Sequence, residues 1–151
     1  MNFDGKTIIV TGAGGGIGEV YARGCARQGM NVVVAELSQE KGASVADSIN
    51  EEGGKAIFQE TDVADEESAR SCVERTKNAF GKVDFLINNA AIFADMRIEG
   101  YLTVDLDYLE NFMRVNAHGA LIMTRAVLET MSSGGGGSII NQSSTAAWMG
   151  T

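Results

Sequence analysis

At 151 residues the chain has the length of one domain, and neither an internal repeat nor a linker divides it. A hydrophobic share of 44% with 7% aromatics fits an ordinary globular protein, and no apolar run approaches the length of a membrane span. The net charge of −8 argues against a nucleic-acid partner, which requires clustered Lys and Arg.

The acidic residues fall on predicted helix faces such as Asp65-Glu66-Glu67, where they read as a solvated surface. Met1 to Lys6 is polar and does not read as a signal peptide. Cys25 and Cys72 each fall on the apolar stripe of a predicted helix, as small core residues rather than a disulfide or metal pair. With nothing that reads as a leader and no disulfide pattern, the expected compartment is the cytoplasm. No Cys/His/Asp cluster has metal-ligand spacing, so no metal is expected. The chain contains no proline, where average composition would give about seven.

Strands and helices alternate along the chain. Lys6 to Val10 reads as a short buried strand. The face Ile17, Val20, Tyr21, Gly24, Cys25 and Gln28 predicts a helix that Gly29 ends. Asn31 to Glu36 is β-branched and nearly all apolar, as a parallel strand covered on both faces should be. Ser38 can cap a helix running to about Glu52, and Lys55 to Glu60 makes a third strand. Asp65 can cap the next helix, whose stripe is Ala69, Cys72, Val73, Thr76 and Phe80. Val83 to Ile87 follows as a fourth strand, and Ala90 to about Asp107 is irregular. A long helix is predicted from about Tyr108 to Met131, with Leu109, Phe112, Met113, Ala117, Ala120, Leu121, Thr124 and Leu128 on its stripe. Ile122, Met123, Ala126 and Val127 make its middle apolar nearly all round, which predicts cover on two sides and points to a subunit interface. Ser138 to Asn141 reads as a fifth strand. Five strands joined by helical crossovers predict an α/β fold, a doubly wound parallel sheet of Rossmann type in the order 3-2-1-4-5.

The segment Thr11-Gly12-Ala13-Gly14-Gly15-Gly16-Ile17-Gly18 joins the first strand to the first helix. A glycine turn there lets the free N–H groups of a helix N-terminus approach a phosphate closely. The spacing is not G-x-G-x-x-G, because position 17 is Ile; it is T-G-x-x-x-G-x-G, carried by Gly12, Gly16 and Gly18. Glu36 ends the second strand, where an acidic residue about 20 positions on accepts hydrogen bonds from an adenosine ribose. That carboxylate would repel a 2′-phosphate, and Leu37 and Ser38 offer no cation, so NAD is expected over NADP; Lys41 is the one nearby cation.

From its first strand to its last residue the chain resembles the N-terminal part of a classical short-chain dehydrogenase/reductase. The glycine turn resembles the family's cofactor motif, and Asp62-Val63 resembles its adenine-contacting pair. Asn88-Asn89-Ala90-Ala91 resembles its N-N-A-G motif, with Ala91 in place of the last glycine. Asn116 resembles the asparagine of the catalytic tetrad, and Ile139 to Ser144 resembles the strand that leads to the catalytic serine, with Ser144 ahead of Ser143 for that role.

The resemblance implies an NAD site formed by Gly12, Gly14, Gly15, Gly16, Ile17, Gly18, Glu36, Leu37, Asp62, Val63, Asn89, Ala90 and Ala91. It implies hydride transfer between nicotinamide and a secondary alcohol or ketone, with Ser144 holding the substrate oxygen and Asn116 helping to place a proton-relay water. Asp95, Arg97 and Glu99 fall where the family borders its substrate. The single histidine, His118, has no part in that chemistry. The family's general base is a tyrosine with a lysine four residues on. Tyr21, Tyr101 and Tyr108 are followed at that spacing by Cys25, Asp105 and Phe112, so the motif is absent. The expectation is the cofactor-binding part of a longer enzyme, inactive by itself and assembling as a dimer or tetramer through the 108–131 helix. A non-catalytic NAD-binding module, an assembly-only fragment, and a 3-oxoacyl thioester as substrate are the alternatives.

Overall fold

The computed structural model describes residues 2–94, 96–100 and 102–145; Asp95 and Tyr101 lie outside them. Five parallel strands form one sheet in the order β3-β2-β1-β4-β5, as expected. The strands are β1 (Thr7–Thr11), β2 (Asn31–Glu36), β3 (Lys55–Glu60), β4 (Phe85–Asn88) and β5 (Ser138–Asn141). The central strand β1 sets Ile9 beside Val33 on one side and Leu86 on the other.

Both faces of the sheet are covered, which is why β1 and β2 are apolar without alternation. Ile8, Val10, Val32, Val34 and Ile87 point to one layer, made by α1 (Gly16–Arg27) and α2 (Gln39–Glu51). Ile9, Val33, Ala35 and Leu86 point to the other, made by α3 (Glu66–Phe80) and α5 (Gly119–Ser133). Each such buried aliphatic side chain contributes roughly 1.5–3 kcal/mol. Ser38 and Asp65 cap α2 and α3 by accepting the Lys41 and Ser68 backbone N–H groups, as their positions predict. Among the described residues, no helix is long and apolar enough to cross a membrane.

Two predicted faces differ. On α1 the buried residues are Gly18, Ala22 and Ala26, while Ile17 and Val20 are exposed. Small side chains let this helix lie close against the sheet, so the larger apolar residues turn outward. The long helix is broken: α4 (Leu106–Met113) passes into a π-helical turn at Arg114–His118, and α5 follows. On α5 the core is reached by Gly119, Met123, Val127 and Met131, whereas Leu121 and Leu128 face outward with Leu109 and Met113 of α4.

Asp84, just before β4, joins the two sides of the sheet. Its carboxylate accepts the Thr7 N–H at 2.9 Å and pairs with Lys82 and Lys6 at 2.9 and 3.2 Å. Its backbone N–H donates to the Thr7 carbonyl, and its carbonyl accepts from Ser138. Partial burial pushes this carboxyl up, but the Thr7 N–H and the two ammonium groups outweigh it and hold the group below the ordinary aspartate value.

Candidate cofactor and catalytic site

The carboxyl ends of the strands gather most of the expected residues. The glycine turn leaves β1 at Thr11 and enters α1 at Gly16. Gly12 and Gly16 have φ of +63° and +56°, a region that favours glycine. A Cβ on Gly12 would stand 2.8 Å from the Ala90 Cα. A Cβ on Gly18 would strike the Gly12 carbonyl and lie 2.6 Å from the Asn89 amide nitrogen. At Gly15 and Gly16, by contrast, an added Cβ meets only open space.

The helix behind this turn has no side-chain cap, unlike α2, α3 and α4, which are capped by Ser38, Asp65 and Asp105. The first backbone N–H groups of a helix have no intrahelical acceptor. Here they open on an uncrowded face at Gly15–Gly16, which fits the phosphates of a dinucleotide.

Thr11 and Asn89 hold the turn against β4. The Thr11 hydroxyl accepts the N–H groups of Asn89 and Ala90, both at 3.0 Å, and donates to the Ile87 carbonyl at 3.2 Å. The Asn89 amide donates to the Thr11 and Gly12 carbonyls at 2.9 and 3.3 Å. Thr11 did not stand out as a site residue, although a threonine between an apolar strand and a glycine was the available signal. Its hydroxyl fixes the distance between the glycine turn and the loop after β4, where Ala90 and Ala91 follow.

Glu36 forms the rim. One carboxylate oxygen accepts the Gly14 N–H at 3.0 Å and the other accepts the Ser38 N–H at 3.1 Å. A Cβ on Gly14 would be 2.6 Å from the Glu36 side chain and 2.9 Å from the Lys41 Cβ, so the acid and the lysine stem flank one glycine. Leu37 next to them is exposed, as is Ile17 on α1. The neighbouring loop is tightly set. The Thr61 N–H donates to the Glu36 carbonyl, the Asp62 carboxylate accepts the Ala64 N–H at 2.8 Å, and Val63 is buried.

Asn116 lies in the π turn, where the Gly119 N–H reaches the Arg114 carbonyl five residues back. Such turns occur frequently at functional sites. The Asn116 side chain accepts the Ile92 N–H at 2.8 Å and donates to the Ile92 carbonyl at 3.2 Å. The loop after β4 is thereby fastened to the turn. Asn88 ties β4 to β5 and α5 through the Asn141 side chain at 2.8 Å and the Ala120 carbonyl at 3.2 Å.

Ser143 and Ser144 are exposed just beyond β5. Gln142 anchors their segment. Its N–H donates to the Asn88 carbonyl, its side-chain oxygen accepts the Tyr21 hydroxyl at 2.7 Å, and its amide donates to the Ser143 carbonyl at 2.8 Å. Cys72 sits apart, in the α3 layer, where burial pushes its thiol up to about 11, too high for a reactive thiolate. His118 is exposed at the end of the π turn. Arg97 and Glu99 pair with each other at 3.2 Å, and Arg97 stacks on the Tyr108 ring at 4.0 Å. No group of metal ligands occurs among the described residues.

The family model for short chain dehydrogenases matches residues 6–151. An uncharacterised oxidoreductase of Mycobacterium tuberculosis is 52% identical over 147 residues, covering 97% of this chain and 59% of that protein. An L-rhamnose 1-dehydrogenase (NAD(P)(+)) of Azotobacter vinelandii is 41% identical over 96% of this chain and 57% of its own length. Among solved structures, a 7α-hydroxysteroid dehydrogenase complexed with NADH and 7-oxo glycochenodeoxycholic acid superimposes with a TM-score of 0.92 at 29% identity, over 99% of this chain and 57% of that one. The chain thus spans a little under three-fifths of the length of these relatives. With its sheet order, its glycine turn and its family match in agreement, the chain belongs to the short-chain dehydrogenase family.

Proposed function

We propose that this chain is the cofactor-binding part of an NAD(H)-dependent oxidoreductase acting on a secondary alcohol or ketone. The observation that carries the reading is the uncapped glycine turn with Glu36 at its rim. When bound, NAD(H) supplies the hydride donor or acceptor. The turn's N–H groups bind phosphate, and Thr11 and Asn89 keep the backbone open at the required width. The Glu36 oxygens each spend one acceptor position on a backbone N–H, which fixes the carboxylate and leaves further lone pairs for a ribose diol. A phosphate on that ribose would meet a fixed negative charge. Leu37 and Ile17 add apolar surface for adenine and nicotinamide, and Asp62 and Val63 border the adenine side.

Asn116 holds the loop after β4 in place and Ser144 offers its hydroxyl to the substrate oxygen. The general base is not among these residues, so the 151-residue chain binds NAD(H) without oxidising alcohols. A polypeptide that continues with Tyr-x-x-x-Lys has the complete reaction. The outward residues Leu109, Met113, Leu121 and Leu128 support assembly as a homo-oligomer.

The test is cofactor selectivity, read by calorimetric titration with NADH and NADPH. NADH binds the wild-type chain more tightly by about tenfold or more, roughly 1.4 kcal/mol. Glu36→Gln, which removes the charge and keeps the shape, narrows that gap, and Lys41→Ala widens it. An unchanged ratio in Glu36→Gln would show that the ribose lies elsewhere, and absence of NADH binding would remove the reading altogether.

A further inference from the structure

The β3–α3 loop and the turn that carries Asn116 are remote in sequence and joined at two points. At the first, the Arg114 guanidinium, at the start of the π turn, donates to the Ala64 carbonyl at 3.2 Å. At the second, Gly119, directly after the turn, is buried against Val63, and a Cβ there would stand 2.7 Å from the Val63 side chain. Between these points Asn116 grips both backbone groups of Ile92. Hydrogen bonds link the loop internally and to β2: Asp62 accepts from Ala64, Ser68 accepts from Asp62, and Thr61 donates to the Glu36 carbonyl. A chain of short contacts therefore runs from Glu36 through residues 61–64 to Arg114, Asn116 and Ile92.

Arg114 is exposed and pairs with no carboxylate among the described residues, so surface ion pairing there does not account for its placement. Its observed hydrogen bond is to the backbone of the loop flanking Val63. A guanidinium is well suited to such a contact, because its donors are held in a rigid plane and lose little freedom on bonding.

We propose that Arg114 is a positioning residue that couples the adenine side of the cofactor site to the asparagine turn. Ordering of the 61–65 loop by a nucleotide is passed through Arg114 to residues 114–119 and to Ile92. The reverse also holds, since coupling between two sites in binding free energy is reciprocal. This inference rests on the proposed placement of adenine beside Asp62 and Val63.

The test uses 5′-AMP, which carries adenine, ribose and one phosphate but no nicotinamide, with hydrogen–deuterium exchange as the readout. In the wild-type chain saturating AMP slows exchange in 61–65 and, by about fivefold, in 114–119 and at Ile92. In Arg114→Ala AMP still protects 61–65, but the protection of 114–119 and Ile92 is lost. Arg114→Lys, whose ammonium can still donate to the Ala64 carbonyl, recovers part of it. A purely structural role would change exchange without nucleotide and leave the AMP-dependent difference intact, which would overturn the proposal. Protection of 61–65 without protection of 114–119 in the wild type would overturn it as well. If AMP produces no binding heat and protects no segment, the adenine placement fails and the coupling falls with it.

Discussion

The region from β1 to α3 and the region from β4 to β5 are built on one sheet, yet they meet their surroundings differently. In the first, β1 is wholly buried, β2 is buried from Val32 to Ala35, and α3 turns Ala69, Cys72, Val73 and Thr76 inward. In the second, β5 is exposed at three of its four positions, and Leu106, Leu109, Met113, Leu121 and Leu128 stand in solvent. The first region is the more closed and carries the glycine turn and Glu36, with α5 of the second region covering one face of its strands. The second leaves this apolar surface open, and it carries Asn116, Ser143 and Ser144. On the proposed function, phosphate and ribose fall chiefly to the closed region and the substrate to the open one.

The contrast is sharpest in stability. Ile9→Ala removes a fully buried side chain from the central strand β1 and lowers unfolding stability by about 3 kcal/mol in urea titration. Leu128→Lys, on the outward face of α5, changes monomer stability by no more than about 0.5 kcal/mol and shifts sedimentation toward smaller species. A large loss of monomer stability in Leu128→Lys would mean that the open face is part of the chain's own core.

Gly18→Ala attacks the closed region at its tightest point. The atoms in the way belong to the Gly12 backbone and to the Asn89 amide that fixes the turn, so neither can yield without deforming the turn. The expected loss is about 1–3 kcal/mol of stability, with at least a tenfold weaker NADH affinity by fluorescence titration. Unchanged affinity would detach the turn from cofactor binding.

The smallest effect concerns the joint between the regions. Because the Asp84 carboxyl is held below its unfolded value, its contribution is complete above the ordinary aspartate pKa of about 4 and is lost as pH falls further. Asp84→Asn therefore lowers the melting temperature at pH 7 and flattens its decline below pH 4. A parallel decline in both proteins would place the acid sensitivity elsewhere.

Much of the fold was legible because the parallel core writes itself as β-branched runs. The two capped helices of the first region, α2 and α3, follow from Ser38 and Asp65 at their starts. What misled was side-chain size. On α1 the sequence weight of Ile17 and Val20 outbid Gly18, Ala22 and Ala26, although close approach to a sheet selects the small residues. On α5 two apolar stripes compete, and only packing decides that Met123, Val127 and Met131 turn inward. The π turn at Asn116 leaves no periodic trace, since one inserted residue shifts the helical phase in a segment already apolar on most sides. In the candidate site, the glycine spacing and the strand-end acid are the parts that stand out in the sequence. The contacts of the Thr11 hydroxyl and the Arg114 bond to a backbone carbonyl leave no such mark, because they depend on distant segments meeting.

The sheet order also bears on how the chain acquires its structure. β1 lies between β2, its near neighbour in sequence, and β4, which follows only after two further strand–helix units. The middle of the sheet cannot be completed until β4 has been made, and pairing strands so distant carries a loop-closure cost before any contact repays it. Folding should accordingly be slow for a domain of this size, with β1 left one-sided and prone to association during synthesis. Without a proline anywhere in the chain, that delay is a matter of topology and not of peptide-bond isomerisation.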